Sequence, residues 1–127
     1  MKRDMDFIRD SLLDIEEKAE PLEFYPVNLS MLNKGYEKNY IMAQLLIMEN
    51  ARLFDKVAKD LNYGFAVCGL SNTGYDFLET IRNEKIWEQT KNEIQEKKLP
   101  KTIKFIAEVA GIFCGELLKH KNGGSNE

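Results

Sequence analysis

A short β-hairpin placed among helical segments is the feature that most restricts the fold of this sequence. The segments "ARLFDKVAKD" and "FAVCGL", at 51–60 and 65–70, have the apolar and β-branched residues of strands. Asn62, Tyr63 and Gly64 lie between them and predict the connecting turn. One hairpin in a chain that is otherwise helical predicts an α+β fold.

The helices are predicted from apolar residues that recur at three- and four-residue spacing. Residues 4–18 show this spacing, and Asp4 or Asp6 can cap the start of the helix. Further helices are predicted at 37–50, from Ser71 onward, at 83–98 and from Thr102 to about Lys119. Between the first two helices, Pro26 predicts an edge strand or an extended loop over 22–29. Residues 30–36 predict a turn.

The order of these elements predicts a particular α+β arrangement. A helix followed by a short hairpin is the sequence outline of a winged helix, in which the hairpin is the wing. We therefore predict a winged-helix-like fold that is mostly helical, with a small β-hairpin wing and additional C-terminal helices. The length of 127 residues and the lack of a long linker predict a single domain over 1–121, followed by a flexible tail at 122–127.

Gly74 lies in the first turn of the helix that Ser71 caps. Glycine at such a position costs roughly 1 kcal/mol relative to alanine. We expect the glycine there because this helix runs close to the sheet or to the first helix. Phe77, Leu78 and Ile81 follow on its apolar face and are predicted to enter the core.

Three segments of the chain resemble the motifs of a bacterial and phage family, number 2513 of the domains of unknown function. They are "MKRDMDFIRDSLLDIEE" at the N-terminus, "GYEKNYIMAQLLIMENARLF" at 35–54 and "LSNTGYDFLETIRNEKIW" at 70–87. The resemblance implies a winged-helix relative found in phages, prophages and Gram-positive hosts. It implies no activity and no catalytic residues. The segment "MENARLF" departs from the family pattern "EAGLI". That pattern has a glycine where the chain leaves the helix in a tight turn, and this sequence lacks it.

The second helix and the hairpin contain the residue types that bind nucleic acid. In a helix-turn-helix, side chains near the N-terminus of the second helix reach base edges in the major groove. Lysine and arginine contact phosphates, while asparagine and glutamine read adenine. The candidate DNA-binding residues are Lys34, Tyr36, Lys38, Asn39, Gln44, Arg52, Lys56 and Lys59, with Asn62 and Tyr63 in the wing. We therefore predict a non-enzymatic DNA-binding or transcription-regulatory protein of a phage or prophage.

Three features of the same region favour a core helix or a protein-interaction surface instead. Acidic residues are interleaved with the basic ones: Glu37, Glu49, Asp55 and Asp60. From residue 40 to 48 the second helix has Gln44 as its polar group, whereas a recognition helix needs an exposed polar face. Residues 21–36 leave little room for the first helix of a helix-turn-helix.

The first helix supports this alternative through its acidic residues. Asp6, Asp10 and Asp14 lie at four-residue spacing and form a stripe that is either solvated or meets a basic partner. The net charge of −3 agrees with an acidic protein that competes with nucleic acid for a basic groove. The alternative function is a protein-interaction module, such as a phage-encoded inhibitor of a host enzyme or of a CRISPR-type defence nuclease.

Two further expectations concern the C-terminal region. Small residues on the apolar face of the last helix allow close packing, either within the monomer or in a homodimer: Ala107, Ala110, Gly111 and Gly115. Lysines surround Pro100 between the last two helices: Lys97, Lys98, Lys101 and Lys104. We interpret these lysines as solvated helix ends, with a phosphate-contact patch as the alternative.

The sequence predicts no catalytic residue, no metal site and no cofactor. His120 lies near the tail, Cys68 and Cys114 lack CxxC spacing, and no glycine-rich phosphate motif is present. No apolar run approaches the roughly 20 residues of a membrane span. The start "MKRD" lacks the apolar region of a secretory signal. We therefore expect a cytoplasmic protein with no membrane partner and with both cysteines reduced and buried.

Overall fold

The computed structural model describes residues 2–60, 62 and 64–125, with side chains described up to Lys119. The described residues form six helices and a two-stranded antiparallel sheet, which confirms the predicted α+β class. In chain order the elements are α1 (Met5–Lys18), α2 (Val27–Asn33), α3 (Lys38–Asn50), β1 (Val57–Asp60), β2 (Gly64–Val67), α4 (Asn72–Ile81), α5 (Glu84–Glu96) and α6 (Ile103–Ser125).

The chain divides into two compact units, Met1–Leu78 and Glu79–Glu127. The division lies within α4, so the first unit contains α1 to β2 and most of α4. The single domain predicted over 1–121 stays a prediction. α6 extends to Ser125 and so includes the start of the predicted tail, while residues 126–127 lie outside the described part.

α1 begins at the predicted cap and buries the predicted face. The side chain of Asp4 accepts a 3.0 Å hydrogen bond from the N–H of Phe7, which satisfies one of the free donors at the helix start. Phe7, Ile8, Leu12 and Ile15 are almost fully buried. Because α1 packs against α2 and α3, this apolar stripe lies at the centre of the first unit.

α2 occupies a segment for which the sequence predicts an extended piece and a turn, so that prediction is wrong for Val27–Asn33, whereas the predicted turn is present at Lys34 and Gly35. Tyr25 alone has the extended pairing: its N–H donates to Val67 O at 2.7 Å and its carbonyl accepts from Val67 N–H at 3.0 Å. α2 starts directly after Pro26, whose fixed φ suits a helix start. Met31 is fully buried, and such packing stabilises a helix that is too short to form alone.

β1 and β2 form the predicted hairpin, with Asp60 opposite Gly64 at the tip. Gly64 therefore belongs to β2 rather than to the predicted turn. Tyr63 of that turn lies outside the described residues. Asn62 donates its N–H to Asp60 Oδ1 at 2.9 Å. The strands are only four residues long, because the segment before Val57 is a bend that leads out of α3.

α3 ends in a Schellman motif, although the sequence lacks the glycine of the family pattern there. The N–H of Arg52 donates to Glu49 O at 2.8 Å, and the N–H of Leu53 donates to Met48 O at 3.2 Å. Arg52 has a φ of 61°, in the left-handed region that favours glycine. The tight helix exit is therefore preserved, at a backbone cost of roughly 1–2 kcal/mol.

Gly74 allows α4 to lie against the chain that leaves α3. A Cβ at this position would lie 2.1 Å from Leu53 O, which is closer than these atoms can approach. Ser71 holds the contact in place, because its N–H donates to the same carbonyl at 3.0 Å and its Oγ accepts the N–H of Gly74 at 3.0 Å. The close approach agrees with the prediction, but its partner is the Leu53 backbone rather than the sheet or the first helix.

In the second unit, α5 packs against α6. Asn83 caps α5 by accepting the N–H of Ile86 at 3.0 Å. The buried residues of this unit include Trp87, Ile94, Ile106 and Ala110. At the end of α5, Lys98 has a φ of 52°, a second basic residue in the left-handed region. Among the residues described, no helix has the length and apolar character needed to cross a membrane.

Candidate nucleic-acid interface on α3 and the hairpin

α3 has a buried side and an outer side of different chemistry. The buried residues are Ile41, Gln44, Leu45 and Met48. The residues of intermediate exposure are Tyr40, Met42, Ala43, Leu46, Ile47 and Glu49. Lys38 and Asn39 are exposed in the first turn, and Asn50 is exposed at the end. The polar groups that a nucleic acid can reach are therefore concentrated at the N-terminal end of α3.

Gln44 lies in the interior, so its place among the candidate DNA-binding residues has to be corrected. It is fully buried. Its Oε1 accepts the N–H of Asp4 at 3.0 Å, and its Nε2 donates to Lys2 O at 2.9 Å. The amide thus connects α3 to the backbone before α1, and its burial keeps it out of reach of a base.

Tyr36 is also held by internal contacts. Its hydroxyl donates to Asp10 Oδ2 at 3.1 Å, and its ring packs edge-on against Phe7 with 5.0 Å between centroids. Burial, followed by the charge of Asp10, raises the pKa of Tyr36 to about 12. Tyr40 stacks parallel to Tyr36, and its hydroxyl donates to Asp4. The two tyrosines therefore attach α3 and the turn before it to α1.

Most of the predicted residues are exposed: Lys34, Lys38, Asn39, Arg52, Lys56 and Lys59, with Asn62 in the wing. Lys34 caps the end of α2 and Lys38 begins α3, so these two lysines lie on either side of the turn between the helices. Lys59 lies on β1 and forms an ion pair with Glu49, with 2.6 Å between Nζ and Oε1. The charge of Lys59 is therefore partly neutralised within the protein.

Some of the interleaved carboxylates are likewise engaged. Glu37 caps α3 by accepting the N–H of Tyr40 at 3.0 Å. Glu49 binds Lys59, and Asp60 accepts the N–H of Asn62. These contacts fix the carboxylates in place but do not remove their charge, so they still weaken the positive potential around the exposed lysines.

The predicted acidic stripe of α1 is not solvated at its C-terminal end. Asp14 is 3% exposed, and its Oδ2 accepts a 2.6 Å hydrogen bond from the Tyr25 hydroxyl. Lys18 lies 3.2 Å from the other carboxylate oxygen. Burial by itself raises the pKa of Asp14, but the hydrogen bonds from Tyr25, Ser30 and Lys18 outweigh burial and lower the pKa. At this end of the stripe, the Asp14 carboxylate is therefore bound by Tyr25 and Lys18 of the same chain.

A groove of about 250 Å³ lies between α2 and α3. Its lining residues are Asn28, Leu29, Leu32, Lys38, Ile41 and Met42. Leu29 is 51% exposed and Leu32 is 46% exposed. The sequence did not indicate this groove, because α2 was predicted as an extended piece and a turn. The spacing of Val27 and Met31 was the available signal.

The described residues contain no group of histidine, cysteine, aspartate and glutamate arranged to hold a metal ion. Cys68 and Cys114 are free thiols, half-buried rather than fully buried. Burial raises the pKa of Cys114, whose thiol donates to Thr80 O at 3.5 Å, so less of it is present as the reactive thiolate. The side chain of His120 lies outside the described part of the chain.

The lysines around Pro100 lie at the junction of α5 and α6. Lys97, Lys98, Lys101 and Lys104 are all exposed. Lys97 pairs with Glu93 one turn earlier, with 2.7 Å between Nζ and Oε2. This arrangement agrees with the interpretation of solvated helix ends.

Comparison with known proteins adds a family and one relative. The family model described as hypothetical protein DUF2513 matches residues 2–100. An uncharacterised protein of Haemophilus influenzae is 26% identical over 121 residues, which cover 93% of this chain and 99% of that protein. No solved structure matches the chain.

Proposed function

The chain belongs to the DUF2513 family, and from the order of its helices and strands we propose that it is a cytoplasmic, non-enzymatic winged-helix protein that binds DNA through α3 and the hairpin. The observation that carries the proposal is α2. This helix directly precedes α3, packs against it, and so forms a helix–turn–helix pair followed by the hairpin.

The surroundings of α2 support a winged-helix arrangement. α1 packs on both α2 and α3, which makes a three-helix group. Tyr25 pairs with Val67 of β2 just before α2 begins, which adds a short third extended segment beside the hairpin. The order helix, extended residue, helix, helix, hairpin is the one expected of a winged helix. α2 supports the proposal because it places a seven-residue helix in the segment that leaves little room for the first helix of the motif.

The exposed residues divide into two roles. Lys34, Lys38, Arg52 and Lys56 bear the charges that contact phosphates. Asn39, in the first turn of α3, is the side chain placed to read a base edge. Because one base-reading residue stands beside four phosphate-binding ones, we expect binding that is dominated by phosphates and has low sequence preference.

The test is a titration of a fluorescent DNA duplex at several salt concentrations. Four phosphate contacts give a slope of about −3.6 for the logarithm of the association constant against the logarithm of salt concentration. Binding at low salt that weakens with this slope supports the proposal. Absence of binding at low ionic strength would contradict it.

The groove between α2 and α3 favours a second candidate, a protein-interaction module. Leu29 and Leu32 expose apolar surface that phosphate binding does not use. The test is a pull-down from host lysate with the wild-type chain and with the double variant Leu29→Ser, Leu32→Ser, whose changes lie at exposed positions. A partner that the wild type retains and the variant loses supports this function. Equal retention by both chains speaks against it.

A further inference from the structure

The outer face of α6 carries an exposed isoleucine and two glycines in a part of the helix that the described residues do not cover. Ile112, on this face, is 62% exposed. Beyond its chain neighbours and the backbone of its own helix, a Cβ at Gly111 or Gly115 would have no described heavy atom within 4 Å, in contrast to Gly74. Glycine inside a helix lowers helix stability, so packing within the monomer does not account for these two glycines.

Helix geometry places two charges in line with this surface. With about 100° of rotation per residue, Glu108, Ile112, Gly115 and Lys119 fall within about 60° of one another around the helix axis. Glu108 and Lys119 are both exposed. On the outer face of α6, Glu108 therefore lies toward one end and Lys119 toward the other, with Ile112 and Gly115 between them. Lys104, also exposed, lies one turn before Glu108 on the same side of the helix.

We infer that this face of α6 binds the same face of a second copy of the chain in an antiparallel pair. A twofold axis between Phe113 and Cys114 places Ile112 against Gly115 of the other copy, where the missing side chain leaves room for it. The same axis places Glu108 against Lys119 of the other copy, twice in each dimer. A parallel pair would instead bring like charges together at both ends.

The dimer is weak, because a single helix pair buries less than the roughly 1,200 Å² of a standard stable interface. We therefore expect a dissociation constant in the micromolar range or weaker, and an equilibrium between monomer and dimer. α6 lies wholly in the second unit, so its pairing with a second copy does not depend on whether the first unit binds DNA.

The test is sedimentation equilibrium of the full chain at low salt, over micromolar to near-millimolar concentrations. The variants Glu108→Lys and Lys119→Glu each place like charges opposite one another, and the twofold axis doubles the effect, so each should weaken association about tenfold. The double variant restores opposite charges and should recover wild-type association. Glu96→Lys on α5 is the control with the same change of net charge as Glu108→Lys, and it should associate like the wild type.

A variant at the apolar centre provides a second measurement. Ile112→Lys alters an exposed side chain, so the fold should be retained, and the dimer should be lost. Recovery in the charge-swapped double variant, together with loss in Ile112→Lys, supports the antiparallel pair. A wild type that remains monomeric at every concentration overturns the inference, and so does association that both single charge reversals leave unchanged.

Discussion

The hydroxyl of Tyr25 donates a 2.6 Å hydrogen bond to Oδ2 of Asp14, on the buried side of α1. The backbone of Tyr25 pairs at the same time with Val67 of β2, so one residue connects the first helix to the sheet. α2 begins two residues later, at Val27. The position of α2, and with it the helix pair on which the proposed function rests, therefore depends on this contact.

Replacement of this carboxylate should destabilise the protein in a pH-dependent way. Asp14→Asn removes the ion pair with Lys18 and the charged acceptor for Tyr25, which we expect to cost about 1–3 kcal/mol at neutral pH. The folded-state pKa of Asp14 is below 3.8, so its stabilisation is present above that pH and is lost as the pH falls through the folded-state pKa. Urea unfolding near neutral pH and near pH 2 measures the effect.

The matched control is Glu17→Gln, at an exposed position of the same helix. This change should alter the free energy of unfolding by less than about 0.5 kcal/mol. Equal effects of the two substitutions at neutral pH, or a loss in Asp14→Asn that persists undiminished at low pH, would show that the carboxylate does not hold the contact.

Tyr36 and Tyr40 should ionise unusually late. Burial and the carboxylates of Asp10 and Asp4 raise both pKa values to about 12. Because the folded-state values are raised, the stabilisation is complete below the ordinary pKa of 10 and is lost as the pH rises toward 12. Tyrosinate absorbance should show the late ionisations of Tyr36 and Tyr40 beside that of Tyr25, whose pKa is also raised by burial and by Asp14. Tyr36→Phe should remove one of these late ionisations, and early ionisation of Tyr36 in the folded protein would refute the assignment.

Addition of one methyl group at Gly74 should destabilise the first unit. A Cβ there would lie 2.1 Å from a backbone oxygen, which cannot rotate away as a side chain can. We expect Gly74→Ala to cost about 1–3 kcal/mol, and Gly74→Leu at least as much. The control is Gly111→Ala in α6, where the space is open, and this change should stabilise by up to about 1 kcal/mol. Thermal unfolding in dilute solution measures the stability of Gly74→Ala and of Gly111→Ala. Unchanged stability of Gly74→Ala would exclude the close contact.

Arg52 should show opposite effects on stability and on DNA binding. Its φ of 61° suits glycine, so Arg52→Gly should stabilise the chain by about 1 kcal/mol. The same change removes one proposed phosphate contact and should reduce the salt slope of DNA binding by about 0.9. Lys98→Gly makes the matched change in the second unit, at a φ of 52°. It should give a similar gain in stability with no change in the salt slope of DNA binding. Equal salt slopes for the two variants would show that Arg52 does not contact a phosphate.

The sequence predicts well those elements whose signals are local. α1 and α3 have strong periodicity and caps, and they appear within a few residues of their predicted bounds. The hairpin is present as predicted, but β1 begins at Val57, six residues after the predicted start at 51. α2 was missed because a seven-residue helix behind Pro26 has a weak local signal and owes its stability to packing by Val27 and Met31.

The candidate site was predicted less well, because exposure depends on distant parts of the chain. Gln44 was taken as a surface group since it is polar, yet its partners are backbone groups of Lys2 and Asp4 that lie 42 and 40 residues away. Asp14 likewise appears in the sequence as one of three equally spaced acids, and a tyrosine eleven residues on determines that it is buried. The periodicity of apolar residues does not predict these pairings, because it describes one element and not its distant partners.

The most direct measurement of the central claim compares two sets of lysines in DNA binding at low salt. One variant replaces Lys34, Lys38 and Lys56 with alanine, and the other replaces Lys97, Lys101 and Lys104. Both lose the same charge. We expect the first variant to bind weakly with a salt slope of about −0.9, and the second to keep the wild-type slope of about −3.6. Equal losses in both variants, or a wild type that does not bind DNA, would contradict the account.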